Sequence, residues 1–202
     1  MVQLPVTRRF AIVLGGGRSS RMGSDKAALL LGGRSLLALA VDACGARDPV
    51  VVVVPALPPD VDAGAVLRTL EDPPLGGPVA GIAAGLAALP APADGDEVLL
   101  LACDLAHPAA VVAALDGAAL GPDGTCLADA DGRPQLLSAR YRRHALAEAL
   151  EHTETRDAGV YRTLAGLRLT CVPAPGLTDD LDTPEQAFAA GAQPPQRPQT
   201  FR

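Results

Sequence analysis

Phe10-Ala11-Ile12-Val13-Leu14-Gly15-Gly16-Gly17-Arg18-Ser19-Ser20-Arg21-Met22-Gly23-Ser24-Asp25-Lys26 reads as a strand that breaks into a glycine loop. Five apolar residues in a row suit a strand covered on both faces. The three glycines that follow let a backbone approach a ligand closely and turn N–H groups toward it. Arg18, Arg21 and Lys26 add three cations to the same loop, charge suited to an anion. Strand, glycine loop and cations together describe a phosphate-binding turn. Neither common nucleotide fingerprint fits it. A dinucleotide loop needs a third glycine where Ser20 stands, and a Walker A loop needs Gly-Lys-Ser/Thr where Gly23-Ser24-Asp25 stands.

Working outward, aliphatic runs alternate with Ala/Leu-rich stretches. Phe10–Leu14, Val50–Val54, Val66–Leu70, Val98–Ala102 and Arg168–Val172 are expected strands, with Thr125–Ala128 and Gln135–Ser138 weaker ones. Ser35–Ala46, Val79–Leu89, Ala109–Leu115, Arg143–Glu151 and Ala158–Leu164 are expected helices. Val79, Ile82, Leu86 and Leu89 share one face of the second. A last helix is expected after Thr183, which can cap it, with Pro184 in the first helical position. This alternation points to an α/β fold: a three-layer α/β/α sandwich around a mainly parallel sheet, with ligands at the carboxyl ends of the strands. Residues 1–7 read as an N-terminal tail, 8–191 as a single domain and 192–202, rich in Gln and Pro, as a disordered C-terminal tail.

Composition narrows the function classes. The 202 residues suffice for a sizeable core, and 49% are hydrophobic. With three Phe, two Tyr, no Trp and a net charge of -6, neither an aromatic stacking platform nor a broad basic surface for nucleic acid can be built. Cys44, Cys103, Cys126 and Cys171 form no C-x-x-C pair and read as buried, reduced thiols. No apolar stretch is long and unbroken enough to span a bilayer or serve as a signal peptide, so a soluble, cytoplasmic protein without membrane or nucleic-acid partners is expected.

The remaining polar residues locate the chemistry. The run Leu99-Leu100-Leu101-Ala102-Cys103-Asp104 ends a strand on a carboxylate, at the edge where the glycine loop is expected. A hard oxygen ligand beside phosphates is what Mg²⁺ requires; the alternative use of Asp104 is as a helix cap. Asp179, Asp180 and Asp182 crowd ahead of the last helix, a repulsion that a cation would relieve, and Asp182 is the candidate second metal ligand. Asp72 opens the Gly/Pro-rich stretch from Pro73 to Ile82, a candidate wall for a nucleoside. Asp131-Gly132-Arg133-Pro134 reads as a β-turn. His107, His144 and His152 have no zinc spacing, and no serine has a visible base.

Leu14-Gly15-Gly16-Gly17-x-x-x-Arg21-Met22-Gly23-x-Asp25-Lys26 resembles the signature of the nucleotidyltransferases that activate small molecules with NTPs. Glu71-Asp72 with Gly77-Pro78-Val79-Ala80-Gly81-Ile82, then Cys103-Asp104, Asp131-Gly132-Arg133-Pro134-Gln135 and Asp182-Thr183-Pro184-Glu185 follow in order over residues 8 to 190. Within that superfamily they are most similar to the molybdenum cofactor guanylyltransferases. The resemblance implies a Rossmann-like sheet of the nucleotide-diphospho-sugar transferase type. It also implies transfer of GMP from GTP to molybdopterin bearing molybdenum, with release of pyrophosphate. On it, Leu14, Gly15, Gly16, Lys26, Asp72 and Asp104 match nucleotide-binding positions, and Arg21, Lys26 and Asp104 the catalytic ones. Asp104 and Asp182 would hold Mg²⁺, and proteins that deliver or accept the cofactor would be transient partners.

The chain departs from that family at four places. Gly15 stands for Ala, Ala106 for Pro, and Val53-Val54-Pro55-Ala56 lacks an Asn common at the end of the second strand. Asp180 and Asp182 replace two Asn, giving an Asp-x-Asp-Thr-Pro-Glu pattern familiar from the cytidylyltransferase for the same cofactor. The Gly77–Ile82 stretch resembles the guanylyl branch. Cytidylyl transfer, NTP transfer to another phosphorylated acceptor and a non-catalytic nucleotide or cofactor carrier are the alternatives.

Overall fold

Alternation along the central strands divides the core in two. In β1 (Arg9–Leu14), Phe10, Ile12 and Leu14 point to one face of the sheet and Ala11 and Val13 to the other, all buried. The computed structural model describes residues 7–15, 26–177, 181, 186 and 191–193. Its elements after β1 are β2 (Leu30–Leu31), β3 (Arg34–Ser35), α1 (Leu36–Ala43), β4 (Val50–Val53), β5 (Leu67–Thr69), α2 (Pro78–Ala88) and β6 (Glu97–Ala102). Then come α3 (Pro108–Gly117), β7 (Gly124–Ala128), β8 (Pro134–Arg142), α4 (Arg143–Glu151), α5 (Val160–Leu164), β9 (Leu169–Pro173) and β10 (Ala192–Gln193).

Seven strands form one sheet in the order β5-β4-β1-β6-β8-β7-β9. All run in one direction except β8, which is antiparallel to both β6 and β7. Ala11, Val13, Val50, Val52, Leu99 and Leu101 pack with Leu37, Ala40, Val111 and Leu115 of α1 and α3. On the other face Phe10, Ile12, Val51, Val53 and Leu100 pack with residues of α2, α4 and α5. The three-layer α/β/α sandwich is therefore present, with a mainly parallel sheet.

Local chemistry sets the element ends. Ser35 caps α1 by accepting from the Ala38 amide at 3.1 Å, and the chain turns at Gly45 with φ +63°, so the helix is shorter than the composition of residues 35–46 suggested. In α2 the expected face is the buried one: Val79, Ile82 and, just past the helix, Leu89 are buried and Leu86 packs against them, with Ala80, Gly81 and Gly85 buried beside them. A Cβ on Gly85 would lie 2.6 Å from Ile12 Cγ2, so this glycine lets the helix close onto β1. β8 is nine residues long and reaches Arg142, well beyond the four-residue strand expected there.

A second, small sheet, β10-β2-β3, was not expected from the sequence. Its hairpin turns on Gly32 and Gly33, at φ +60° and +83°, the left-handed pair that a two-residue turn requires. Ala192 and Gln193, placed in the tail by composition, instead pair with Leu31 and Leu30, and Ala192 is buried beside Leu29, Leu36 and Leu181. The helix expected after Thr183 falls outside the described residues except for Gln186. Cys44, Cys103 and Cys126 are buried free thiols as read from sequence, whereas Cys171 is exposed on β9. Among the described residues no helix is long and apolar enough to cross a membrane.

Candidate active site

The carboxyl ends of β1 and β6 lie side by side. Leu14 is opposite Ala102, and the ladder runs one step further through the Cys103 amide to the Leu14 carbonyl at 3.0 Å. Gly15 and Asp104, each one residue past this last rung, are thereby neighbours at the centre of the sheet edge. The Gly15 amide continues the ladder on the other side, donating to the Val53 carbonyl at 3.1 Å. Gly15 is thus held in place by the sheet. A Cβ at Gly15 would run into Val54 Cγ1, which fills that space in this chain.

Lys26 opens a single 3-10 turn, Lys26–Ala28, seated by the fully buried Ala27. From there its Nζ donates to Asp104 Oδ2 at 3.0 Å. The lysine and aspartate side chains are only 18% and 19% exposed, so the pair is poorly screened by water. Asp104 does not cap α3, whose N-cap is His107. Its carboxylate is available to the site, while its carbonyl accepts from the Leu181 amide at 2.9 Å.

Of the residues singled out by sequence, Leu14, Gly15, Lys26 and Asp104 come together here. Asp72 is exposed, follows β5 at the same edge and precedes a cis peptide bond to Pro73. Gly16, Arg21 and Asp182 lie outside the described residues. Sequence reasoning found no polar handle at the end of β4, but the fold brings one from the next strand: Arg68 Nη1 donates to the Pro55 carbonyl at 2.9 Å. The only hint was an arginine inside an otherwise strand-like run.

The turn between β7 and β8 rises at the same edge. Asp129 Oδ1 accepts from the amides of Asp131 and Arg133 at 2.9 Å each, and its Oδ2 from Gln135 Nε2 at 2.9 Å. With Gly132 at φ +77°, this is a tightly bonded turn.

Among the described residues Asp104 is the one sequence-predicted metal ligand at this edge, and its Oδ2 accepts from Lys26. Among the described residues no group of three or more His, Cys, Asp or Glu side chains could cage a metal alone. Asp104 offers one half-buried carboxylate beside a cation suited to phosphates, and Mg²⁺ commonly takes one or two carboxylates with phosphate oxygens and water.

The model of the MobA-like NTP transferase domain matches residues 11–170. The chain belongs to this family. A probable molybdenum cofactor guanylyltransferase of Nostoc sp. is 30% identical over 197 residues, covering 87% of this chain and 86% of that protein. A second of the same name, from Trichormus variabilis, is 39% identical over 97 residues, covering 47% of this chain and 45% of that protein's length. Among solved structures, the molybdopterin-guanine dinucleotide biosynthesis protein A of Archaeoglobus fulgidus superposes with a TM-score of 0.55. It is 20% identical, over 90% of this chain and 96% of that one, a likeness of fold. The MobA-like assignment accounts for the nucleotide-diphospho-sugar transferase architecture.

Proposed function

We propose that the chain transfers GMP from GTP to the terminal phosphate of molybdopterin bearing molybdenum and releases pyrophosphate. The observation that carries this reading is the Lys26–Asp104 pair, a cation and a hard carboxylate 3.0 Å apart at the end of the central strands of a MobA-like domain. The name of the Nostoc relative supports the choice of base and acceptor.

In the reaction a phosphate oxygen of the acceptor forms a bond to the α-phosphorus of GTP while the bond from that phosphorus to the bridging oxygen of pyrophosphate breaks. A phosphate monoester is already ionised near neutrality, so the attacking oxygen needs no general base. What remains for the protein is positioning and charge neutralisation. Leu14, Gly15 and Gly16 hold the backbone against the nucleotide, Asp72 contacts it, and Lys26 and Arg21 offset charge on the phosphates. Asp104 and Asp182 would hold Mg²⁺, which when bound would supply Lewis-acid stabilisation of the phosphate oxygens. Lys26 reaches the phosphates by leaving or sharing its bond to Asp104, so the pair keeps both groups aimed at the site before substrate arrives.

Titration of the protein with GTP and CTP in the presence of Mg²⁺ tests the base assignment. Tighter binding of GTP is expected; equal preference overturns the assignment, and a reversed preference favours cytidylyl transfer.

A further inference from the structure

Two residues other than glycine have left-handed backbones among the described residues, Leu75 at φ +66° and Asp157 at φ +54°. They are 82 positions apart in sequence, yet both flank one contact. The Asp157 amide donates to the carbonyl of Gly76, Leu75's neighbour, at 2.7 Å. Conformations of this kind are costly for residues with a Cβ and persist where surrounding structure enforces them, which is why they gather at functional sites. Leu75 is further tied by its own amide to Glu71 Oε1 at 3.0 Å, although its side chain is 52% exposed. The joint therefore fixes the turn between Asp72 and the start of α2, and it does so through backbone atoms.

The same segment reaches across the sheet edge. Four residues after Asp157, Tyr161 on α5 is 56% exposed, yet its hydroxyl donates to the Pro134 carbonyl at 2.9 Å. Pro134 is the first residue of β8, at the base of the Asp129–Arg133 turn. The strand order places the 72–77 turn, which follows β5, on one side of β1 and β6, and the β7–β8 turn on the other. Between these two anchors, Ala158 is buried in the same core cluster as Val79 and Ile82 of α2 and Leu146 of α4, so the segment is seated rather than loose.

We propose that residues 155–161 act as a positioning strap across the site. At one end the Asp157 amide sets the nucleotide-side turn, and at the other the Tyr161 hydroxyl sets the turn that faces the acceptor. This rests on the nucleotidyl-transfer reading above. The strap does no chemistry; it fixes the width of the cleft in which the acceptor phosphate meets the α-phosphorus.

The test uses the full chain, with Mg²⁺-GTP and molybdopterin as substrates. Asp157→Val makes the left-handed backbone unfavourable, whereas Asp157→Gly and Asp157→Asn tolerate it. Asp157→Val is expected to raise KM for GTP about fivefold with kcat within about twofold, and glycine or asparagine to restore the wild-type value. Tyr161→Phe is expected to raise KM for the acceptor about threefold and leave GTP affinity unchanged. Should valine prevent folding, Asp157→Ala carries the same comparison with less strain.

Hydrogen exchange in the nucleotide-free protein gives a readout independent of the reaction. Exchange should quicken at residues 73–80 in Asp157→Val and at 129–135 in Tyr161→Phe. Wild-type exchange and KM values in both variants would overturn the strap. So would an Asp157→Gly variant as impaired as Asp157→Val. A wild-type protein that does not use GTP counts against the functional reading, and the exchange result then decides the strap alone.

Discussion

The Lys26–Asp104 pair concentrates the functional claim in two side chains that are 78 positions apart in sequence. Lys26→Ala and Asp104→Ala should each slow pyrophosphate release more than tenfold in a folded protein, a loss of at least about 1.4 kcal/mol of transition-state stabilisation. Turnover near wild type in either variant would remove that residue from the mechanism. Gly15 makes a second, separate claim. An added methyl would meet Val54 Cγ1, so Gly15→Ala should destabilise the fold by roughly 1–3 kcal/mol, an overpacking cost. Val54→Ala in the same chain should recover part of that loss, a coupling that urea unfolding of the two single variants and the double variant measures. The family's alanine at this position is therefore not freely exchangeable here. Its space is taken by Val54, at the end of the strand that also lacks the family's asparagine. Lys26 and Asp104 were legible in sequence because each sits just past a recognisable strand or loop. Their hydrogen bond was not, since pairing across such a separation depends on the strand order.

Elements were legible where their pattern was long. The continuous apolar runs of β1, β4 and β6 identified the sheet, and α4 starts and stops where its composition predicts, at Arg143 and Glu151. Two-residue strands carry no periodicity, so β2, β3 and β10 escaped, although Gly32-Gly33 is a recognised hairpin signal. In α2 the spacing of Val79, Ile82, Leu86 and Leu89 identified the face that packs on the sheet, but not that Gly81 and Gly85 bring the helix close to it. Gly85→Ala tests this. Helix propensity alone would favour alanine by up to about 1 kcal/mol. The methyl would meet Ile12 Cγ2 at 2.6 Å, so the variant should be less stable than wild type by about 1 kcal/mol or more. A stabilised Gly85→Ala would mean that α2 does not rest on β1 as described.

At the scale of the molecule, the edge of the sheet opposite the site is closed by one buried carboxylate. Asp96, with its side chain 1% exposed, accepts from Arg8 Nε at 2.8 Å and Nη2 at 2.6 Å, from Arg143 Nη1 at 3.2 Å and from the Ala93 amide at 2.9 Å. The guanidinium carbons of Arg8 and Arg143 stand 5.3 and 5.5 Å from the centroid of the Phe10 ring. The network ties the approach to β1, the loop before β6 and the start of α4 into one piece. Burial pushes the Asp96 carboxyl pKa up, but the bonds from Arg8, Ala93 and Arg143 outweigh it and hold it below the ordinary value. A carboxylate depressed in the folded state contributes stability in full above its unfolded pKa of about 3.9, and that contribution disappears as pH falls through the lower folded value. Asp96→Asn should therefore flatten the fall in stability below about pH 4. Asp96→Ala should cost about 3 kcal/mol at neutral pH, because it leaves the buried Arg143 without its carboxylate. Denaturant unfolding over a pH series measures both effects. An acid limb unchanged in Asp96→Asn would place the linkage elsewhere. Neither the network nor its location could be read from sequence, since Arg8, Asp96 and Arg143 belong to no common motif.

The two edges divide the labour, stability at one and chemistry at the other, and the chemistry is the central claim. Its most direct test is to incubate the protein with molybdenum-bearing molybdopterin, GTP, CTP and Mg²⁺ and to identify by mass which nucleotide is attached. The account predicts the guanine dinucleotide with one pyrophosphate released per product, and neither product nor pyrophosphate from Asp104→Ala. A cytosine dinucleotide, or a guanine product formed equally well by Asp104→Ala, would contradict it.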